Sequence, residues 1–209
     1  MKLRSLVLGI FAGFLTIIAF AEEVNTSQLY WRNQRFYLDN EKTTEPYTGY
    51  AVAYYKNGKM AEKKQYLNGV LNGSYESWYA TGTKRQEVQY LQGALSGSYT
   101  VWYPDGNKMM VMNFKFGEKN GPCEIWYKDG KMWMKTNFKN DLMNGIFEIF
   151  NKDGKLNFKV DIYGYHIKTV YSASGKPMTP TNYSLYMTTI QRWHNKIVSL
   201  QSNVARTVR

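Results

Sequence analysis

The stretch CEIWYKDGKMWMKTNF, residues 123–138, decides how this chain folds. Two runs of aromatic and alternating residues flank the pair Asp129-Gly130. Asp-Gly supplies the positive φ angles of a two-residue type I′ turn, and such a pair between alternating runs is typical of a β-hairpin. The stretch therefore predicts two antiparallel strands that meet at Asp129-Gly130.

The hairpin is one copy of a 24-residue repeat that occurs five times without insertions. Each copy begins with a glycine and carries an Asn-Gly, Thr-Gly or Asp-Gly pair in its middle. In the first three copies another glycine turns the chain into the next copy. This period predicts a mainly β fold of stacked hairpins. The copies are residues 49–72, 73–96, 97–120, 121–144 and 145–168.

A two-residue turn also determines which residues lie opposite each other, because side chains alternate between the two faces of a strand. In the fourth copy such a turn pairs Ile125 with Met134 on an apolar face. On the other face it pairs Trp126 with Trp133, among charged residues. The sequence thus predicts one buried face and one mixed face that carries large aromatic rings.

The mixed face has a large aromatic residue at the same position of every copy. Trp and Tyr are enriched in binding hot spots, and the same rings can act as cross-strand packing within a sheet. Both interpretations stay open. The predicted partner-binding residues are Tyr54, Trp78, Trp102, Trp126 and Phe150, together with Trp133 of the fourth copy.

The repeat resembles the MORN-repeat variant family, whose units read roughly G-x-[WY]-x-x-[WY]-Y-x-x-G-K and close on Y-x-x-G. The resemblance covers residues 46–168 and includes the lead-in PYTGYAVAYYKNGK, residues 46–59. It implies an elongated, twisted antiparallel sheet of stacked hairpins. Bacterial members are commonly labelled YwqK-like antitoxins, and related repeats are associated with contacts to membrane lipids or proteins. The label describes a fold better than an activity.

The first 21 residues have the composition of a secretory signal peptide. Lys2 and Arg4 precede an uncharged apolar run of 15 residues, and residues 19–21 (AFA) form a small-x-small cleavage motif. The run is shorter than the roughly 20 residues that span a bilayer. Since no cysteine follows Ala21, a lipid anchor is not indicated. We expect cleavage after Ala21 and export to the periplasm, the cell surface or the medium.

The segments that flank the repeats have their own patterns. Residues 22–48 form a lead-in, in which Tyr30-Trp31 and Phe36-Tyr37 suggest a degenerate strand pair. Residues 169–181 are rich in Ser, Gly and Pro and predict a linker. Residues 182–209 carry an apolar stripe with alternating spacings of 3 and 4, which predicts an amphipathic helix.

Three interpretations compete for this helix. It folds back over the exposed last edge of the repeat array, it self-associates through its heptad spacing, or its basic and apolar faces bind an anionic membrane surface. The candidates for a membrane or partner contact are Arg192, Trp193, Lys196 and Arg206.

Composition and motifs argue against nucleic acid and against catalysis. The formal net charge is +11, but the basic excess lies outside the aromatic repeats, and an exported chain leaves the compartment of nucleic acid. The two histidines are His166 and His194, and Cys123 is the single cysteine. No metal cluster, Ser-His-Asp arrangement or internal disulfide is therefore expected. We predict no catalytic residue, no metal site and no cofactor.

These observations predict an exported, non-enzymatic repeat protein that binds a protein partner in the cell envelope or at the cell surface. Two alternatives stay open. One is an antitoxin or immunity protein that neutralises a toxin, and the other is peripheral binding to an anionic membrane surface.

Overall fold

The structure is a computed structural model that describes residues 22–39, 44–164, 166–172, 174–178 and 183–205. The predicted signal peptide, residues 1–21, lies outside this part of the chain. Contacts divide the protein into two compact units, one ending at Glu118 and the other starting at Lys119. The predicted fold class is confirmed, since the protein is mainly β, built from antiparallel hairpins, with a helix near the C-terminus.

The first unit contains three repeat hairpins whose strands neighbour one another in chain order. One feature of its N-terminal part was not predicted, since the first strand pairs in parallel with the first repeat strand. The next two strands, which contain the Tyr30-Trp31 and Phe36-Tyr37 pairs suggested by the sequence, form a separate two-stranded sheet. The strands are β1 (Glu22–Asn25), β2 (Leu29–Arg32), β3 (Arg35–Leu38), β4 (Gly49–Tyr54), β5 (Met60–Leu67), β6 (Val70–Trp78), β7 (Lys84–Leu91), β8 (Ala94–Trp102) and β9 (Lys108–Lys115).

The second unit continues the pattern with antiparallel strands in chain order and ends in the helix. The predicted helix begins and ends within the expected range, and residues 206–209 lie outside the described part. The elements are β10 (Glu118–Trp126), β11 (Met132–Lys139), β12 (Leu142–Phe150), β13 (Leu156–Tyr163), β14 (His166–Tyr171), β15 (Pro177–Met178) and α1 (Tyr183–Ala205).

The type of turn within each repeat differs from the prediction. The Gly130 N–H donates to the Tyr127 carbonyl at 3.0 Å, and the Tyr127 N–H donates to the Lys131 carbonyl at 2.8 Å. Gly130 has a positive φ angle and Asp129 does not. This is a three-residue loop with a left-handed glycine, so the predicted two-residue type I′ turn is wrong here. Two-residue turns with two positive φ angles connect successive copies instead, at Asn68-Gly69, Gln92-Gly93 and Asn140-Asp141.

The longer loop shifts the pairing of the residues next to it. Ile125 lies opposite Met134 as predicted, but Trp126 lies opposite Met132 and not opposite Trp133. Trp133 is therefore the extra residue of a β-bulge. The other four repeats have the same shift at the same place.

A second bulge explains the glycine that opens a repeat. Opposite the single residue Gln65, strand β6 carries the three residues 72–74. Gly73 has a φ of +101°, and a Cβ at this position would collide with the side chain of Gln65. Glycine is favoured here because the backbone is left-handed, while the Gln65 amide that a Cβ would meet is the end of a flexible side chain.

The segment predicted as a linker, residues 169–181, is partly strand. β14 continues to Tyr171, and the next loop has the hydrogen bonds of the repeat loops, with Gly175 N–H donating to the Ser172 carbonyl at 2.8 Å. The short strand β15 then pairs with β14. The described residues 166–172 and 174–178 thus form a sixth, truncated hairpin, which is out of phase because Gly175 follows Gly154 by 21 residues.

The apolar face predicted from the fourth copy is the core of the second unit. Cys123, Ile125, Met134 and Phe138 are each at most 1% exposed. In the first unit the buried side chains at equivalent positions include Tyr75, Val88, Tyr99, Met110 and Met112.

Helix α1 packs on the sheet of the second unit through the predicted apolar stripe. Ile190 and Ile197 are buried, and the Tyr186 ring stacks on Phe158 with centroids 5.8 Å apart. The helix folds back on the repeats, as the first interpretation expected, but its ring contacts are to β11 and β13 within the sheet, whereas that interpretation placed it over the last edge. In the part of the chain that the structure describes, no helix is long and apolar enough to cross a membrane.

Candidate interaction surface

The recurrent aromatic residues share one structural position, because each is the last residue of the first strand of its hairpin. The loop of the hairpin follows directly, so all these rings lie at the loop ends of their strands. The truncated hairpin has Tyr171 at this position. We call these residues the strand-end aromatics: Tyr54, Trp78 and Trp102 in the first unit, and Trp126, Phe150 and Tyr171 in the second.

Sequence reasoning missed Tyr171. Its signal was present, since Tyr171 precedes Gly175-Lys176 by the same four residues that separate Phe150 from Gly154-Lys155. The loss of three residues from the period hid this match.

Hydrogen bonds tie the strand-end aromatics to the preceding repeat. The Tyr55 hydroxyl donates to the Trp78 carbonyl at 2.6 Å, and the Tyr79 hydroxyl donates to the Trp102 carbonyl at 2.8 Å. Burial raises the pKa of the Tyr79 phenol, so this hydroxyl keeps the proton that it donates. The bonds hold the backbone at these positions while part of each ring stays accessible, since Tyr54 is 50% exposed and the others are half-buried.

Lysine side chains lie over several of these rings. In the first unit the Lys84 Nζ is 5.8 Å from the centre of the Trp102 ring. In the second unit Lys135 lies over Phe150 at 5.7 Å and Lys159 over Tyr171 at 5.1 Å. Cation–π attraction of this kind contributes about 0.5–1 kcal/mol at exposed sites, so it orders the lysines beside the rings.

The same lysines are paired with carboxylates. Lys84 contacts Glu76 at 2.6 Å and Glu87 at 3.0 Å, while Lys135 and Lys159 both contact Glu148, at 2.9 and 3.0 Å. Burial opposes ionisation of Glu148, but hydrogen bonds from the two lysines lower its pKa. Each unit therefore presents partly exposed aromatic rings set among fixed charges of both signs.

Trp133 does not belong to this surface. As the extra residue of its bulge, it stacks on Tyr127 with centroids 5.3 Å apart and meets Trp193 of α1 edge to face at 4.9 Å. Its predicted pairing with Trp126 is wrong for the reason given above. Trp133 and Trp193 both serve the packing of the helix on the sheet.

The basic candidates of the helix lie on its outer side. Arg192 and Lys196 are exposed, whereas Trp193 contacts the sheet. Arg206 lies outside the described residues. The helix thus presents two cations to solvent, while Ile190 and Ile197 of its apolar stripe are buried.

His194 lies on the inner part of the helix, near an ion pair of the second unit. Lys119 and Asp141 form this pair at 2.7 Å. Burial lowers the pKa of His194, the positive charge of Lys119 lowers it further, and Asp141 acts in the opposite direction. Protonation of His194 therefore opposes helix packing.

Among the described residues, no group of three His, Cys, Asp or Glu side chains is placed to hold a metal ion. Cys123 is fully buried, and this burial raises the pKa of its thiol to about 12, so the nucleophilic thiolate does not form at neutral pH.

Comparison with known proteins supports the repeat assignment. The model of the MORN repeat variant family matches three segments, residues 47–68, 71–92 and 119–140. No curated protein matches the chain. MORN repeats are in general modules of protein or membrane interaction. The first, second and fourth hairpins of this chain are therefore matched as MORN-variant repeats.

Proposed function

We propose that this protein is an exported, non-enzymatic module that binds a protein partner in the cell envelope or at the cell surface. The observation that carries the proposal is the recurrence of the strand-end aromatics, half-buried in five of six hairpins and set among ordered lysines and glutamates. Partly exposed Trp and Tyr rings contribute much of the binding energy at protein interfaces. Export is supported by the composition of residues 1–21.

The packing of α1 on the sheet favours a protein partner over a membrane surface. Interfacial helices insert an apolar face between lipid headgroups. In this protein Ile190, Ile197 and Trp193 face the sheet, and membrane insertion of the helix would require it to leave the sheet.

The test begins with a cross-linked pull-down of the mature chain from its native envelope. The purified partner is then titrated against Trp78→Ala, Trp102→Ala and Trp126→Ala, with circular dichroism as the check on folding. We expect at least one of these variants to bind the partner at least tenfold more weakly while it stays folded. Trp133→Ala is the matched control, because it removes the same side chain from a packing position.

Two results would overturn the proposal. One is loss of folding in all three strand-end variants without any selective binding defect, which would make these rings part of the core. The other is retention on anionic vesicles that falls with salt and with removal of residues 180–209, in the absence of a protein complex. A stoichiometric complex with a toxin that survives moderate salt would identify the partner as the target of an immunity protein.

A further inference from the structure

The N-terminal hairpin, formed by β2 and β3, carries a cluster of residues that the repeats do not contain. Its strands pair Tyr30 with Tyr37, and Arg32 with Arg35. Side chains alternate along a strand, so this two-stranded ribbon has two faces. One face attaches the hairpin to the first unit, where Leu29, Phe36 and Leu38 pack against the core around Tyr66.

The other face holds Arg32 over two stacked tyrosines. The Tyr30 and Tyr37 rings are 5.6 Å apart, and the Arg32 guanidinium lies 4.9 Å from the centre of Tyr37 and 5.9 Å from that of Tyr30. Guanidinium groups stack on aromatic rings and keep their five N–H donors available. Arg32 is thus an exposed cation whose position is held by its neighbours.

Arg32 and Arg35 are opposite each other beside the two-residue turn at Asn33-Gln34. Like charges at directly opposed positions destabilise a strand pair. Arg35 donates to the carbonyl of Asn68 at 2.6 Å, and among the described residues neither arginine has a carboxylate partner. Two cations at one hairpin tip form a place where a bound anion relieves a repulsion.

Trp31 stands at the same tip and is 59% exposed. The other five tryptophans are half-buried. The Trp31 ring is held edge to face against Phe36, with centroids 4.8 Å apart. Trp, Tyr and Arg are the residue types most enriched where alanine substitution costs a protein complex most. Trp31 pairs with Phe36, so it lies on the attached face, whereas the face of Arg32 combines Tyr and Arg outside the segments that match the repeat family.

We propose that this tip, through the face that carries Arg32 and Arg35, docks an acidic segment of the protein partner. A carboxylate of the partner takes the paired N–H donors of Arg32 in the bidentate geometry that favours arginine over lysine. Arg35 adds a second positive charge on the same face of the hairpin. This inference rests on the proposed protein-binding function and specifies the chemistry of the partner.

The probe is a defined set of ten-residue peptides that combine two to four glutamates with two leucine or phenylalanine residues. Each peptide has a counterpart with glutamine in place of glutamate. Binding of the mature chain is measured by fluorescence anisotropy. We expect the best acidic peptides to bind at least tenfold more tightly than their glutamine counterparts. We expect Arg32→Gln to bind these acidic peptides at least tenfold more weakly than the wild-type chain.

Arg32→Lys separates recognition from folding. It keeps a cation over the tyrosine rings, so the hairpin stays packed. It loses the planar guanidinium, whose paired N–H donors bind both oxygens of a carboxylate. We expect it to bind nearly as weakly as Arg32→Gln. Arg85→Gln is the matched control, because Arg85 in the same unit also lies over a tyrosine, 6.0 Å from the centre of the Tyr79 ring.

Three results would overturn the inference. One is an equal loss of peptide affinity in Arg32→Gln and Arg85→Gln, and another is equal affinity for the glutamate and glutamine peptides. The third is binding of the chain to vesicles of anionic lipid without binding to any peptide. The purified partner adds a separate readout. Normal partner binding by the tip variants, together with loss in the strand-end tryptophan variants, would refute the inference and leave the proposed function standing.

Discussion

The hydroxyl of Tyr127 donates to the backbone carbonyl of Phe150, 23 residues later, at 2.9 Å. The same bond joins Tyr55 to Trp78 and Tyr79 to Trp102. Each bond connects the end of a strand in one repeat to the end of the equivalent strand in the next. It therefore stabilises the stacking of repeats, independently of the hydrogen bonds between neighbouring strands.

Removal of this hydroxyl tests its contribution. We expect Tyr127→Phe to lower the free energy of unfolding by about 0.5–1.5 kcal/mol, the usual net contribution of one hydrogen bond. Urea denaturation followed by circular dichroism measures the change. Tyr54→Phe is the control, because Tyr54 is 50% exposed and its hydroxyl is 3.5 Å from Glu23. An equal loss in both variants would show that the bond between repeats has no special effect.

The edge-to-face contact of Trp133 with Trp193 predicts that the two residues act as a pair in helix docking. We expect each alanine variant to speed hydrogen exchange of the α1 amides and to leave the exchange of β12 and β13 unchanged. The double variant is expected to cost less than the sum of the single variants, by about 0.5–1.5 kcal/mol, because aromatic pairs couple by that amount. Additive effects would mean that the rings stabilise the helix separately.

The hairpins and the buried face were predictable because they follow from short-range pattern. Glycine spacing locates each loop, and Ile125 still lies opposite Met134 because the extra residue of the bulge offsets the extra residue of the loop. The helix followed from its apolar spacing. All these signals lie within a few residues of the structure that they determine.

The errors have separate physical origins. An Asp-Gly pair suits a two-residue turn and also a three-residue loop, so the sequence near Asp129 did not determine the pairing next to it. One extra residue then turned Trp133 from the mixed face to the helix. Tyr171 was missed because the period shortened, and the parallel pairing of β1 with β4 is a long-range contact without a local signal.

The position of His194 predicts how stability depends on pH. Burial, assisted by Lys119 and opposed by Asp141, gives His194 a lower pKa in the folded protein than its usual value of 6.5. Between the two values the unfolded chain binds more protons, so stability rises with pH in that interval. The stability that depends on neutral His194 is fully present above about pH 6.5. It is lost as the pH falls toward the pKa of His194 in the folded protein.

Urea midpoints at pH 5 and pH 7.5 measure this effect. We expect a lower midpoint at pH 5 for the wild-type chain and a smaller difference for His194→Gln. His166→Gln is the control, because His166 is exposed on β14. Asp141 does not contribute to the change, since hydrogen bonds from Lys119 outweigh burial and lower its pKa below 3.8. A pH difference that persists unchanged in His194→Gln would assign the effect to another group.

Gly69 predicts how firmly the N-terminal hairpin is attached. Its N–H donates to the Tyr47 carbonyl at 2.7 Å, and its carbonyl accepts from the Phe36 N–H at 2.8 Å. Its φ is +75°, and a Cβ there would lie 2.7 Å from the Phe36 carbonyl oxygen and 2.8 Å from the Cβ of Arg35. Alanine at this position therefore meets backbone and must push the hairpin away.

Gly93 provides the matched control, because it occupies the equivalent turn with a φ of +82° and would present its Cβ to open space. Gly93→Ala should cost only the left-handed backbone penalty, about 1–2 kcal/mol. We expect Gly69→Ala to cost more and to expose β2 and β3 to protease before the rest of the chain unfolds. Limited proteolysis and urea denaturation measure both effects. An equal loss of unfolding free energy in Gly69→Ala and Gly93→Ala would mean that the hairpin moves away from position 69 at little cost. The acidic-segment site at the hairpin tip would then lack a rigid support.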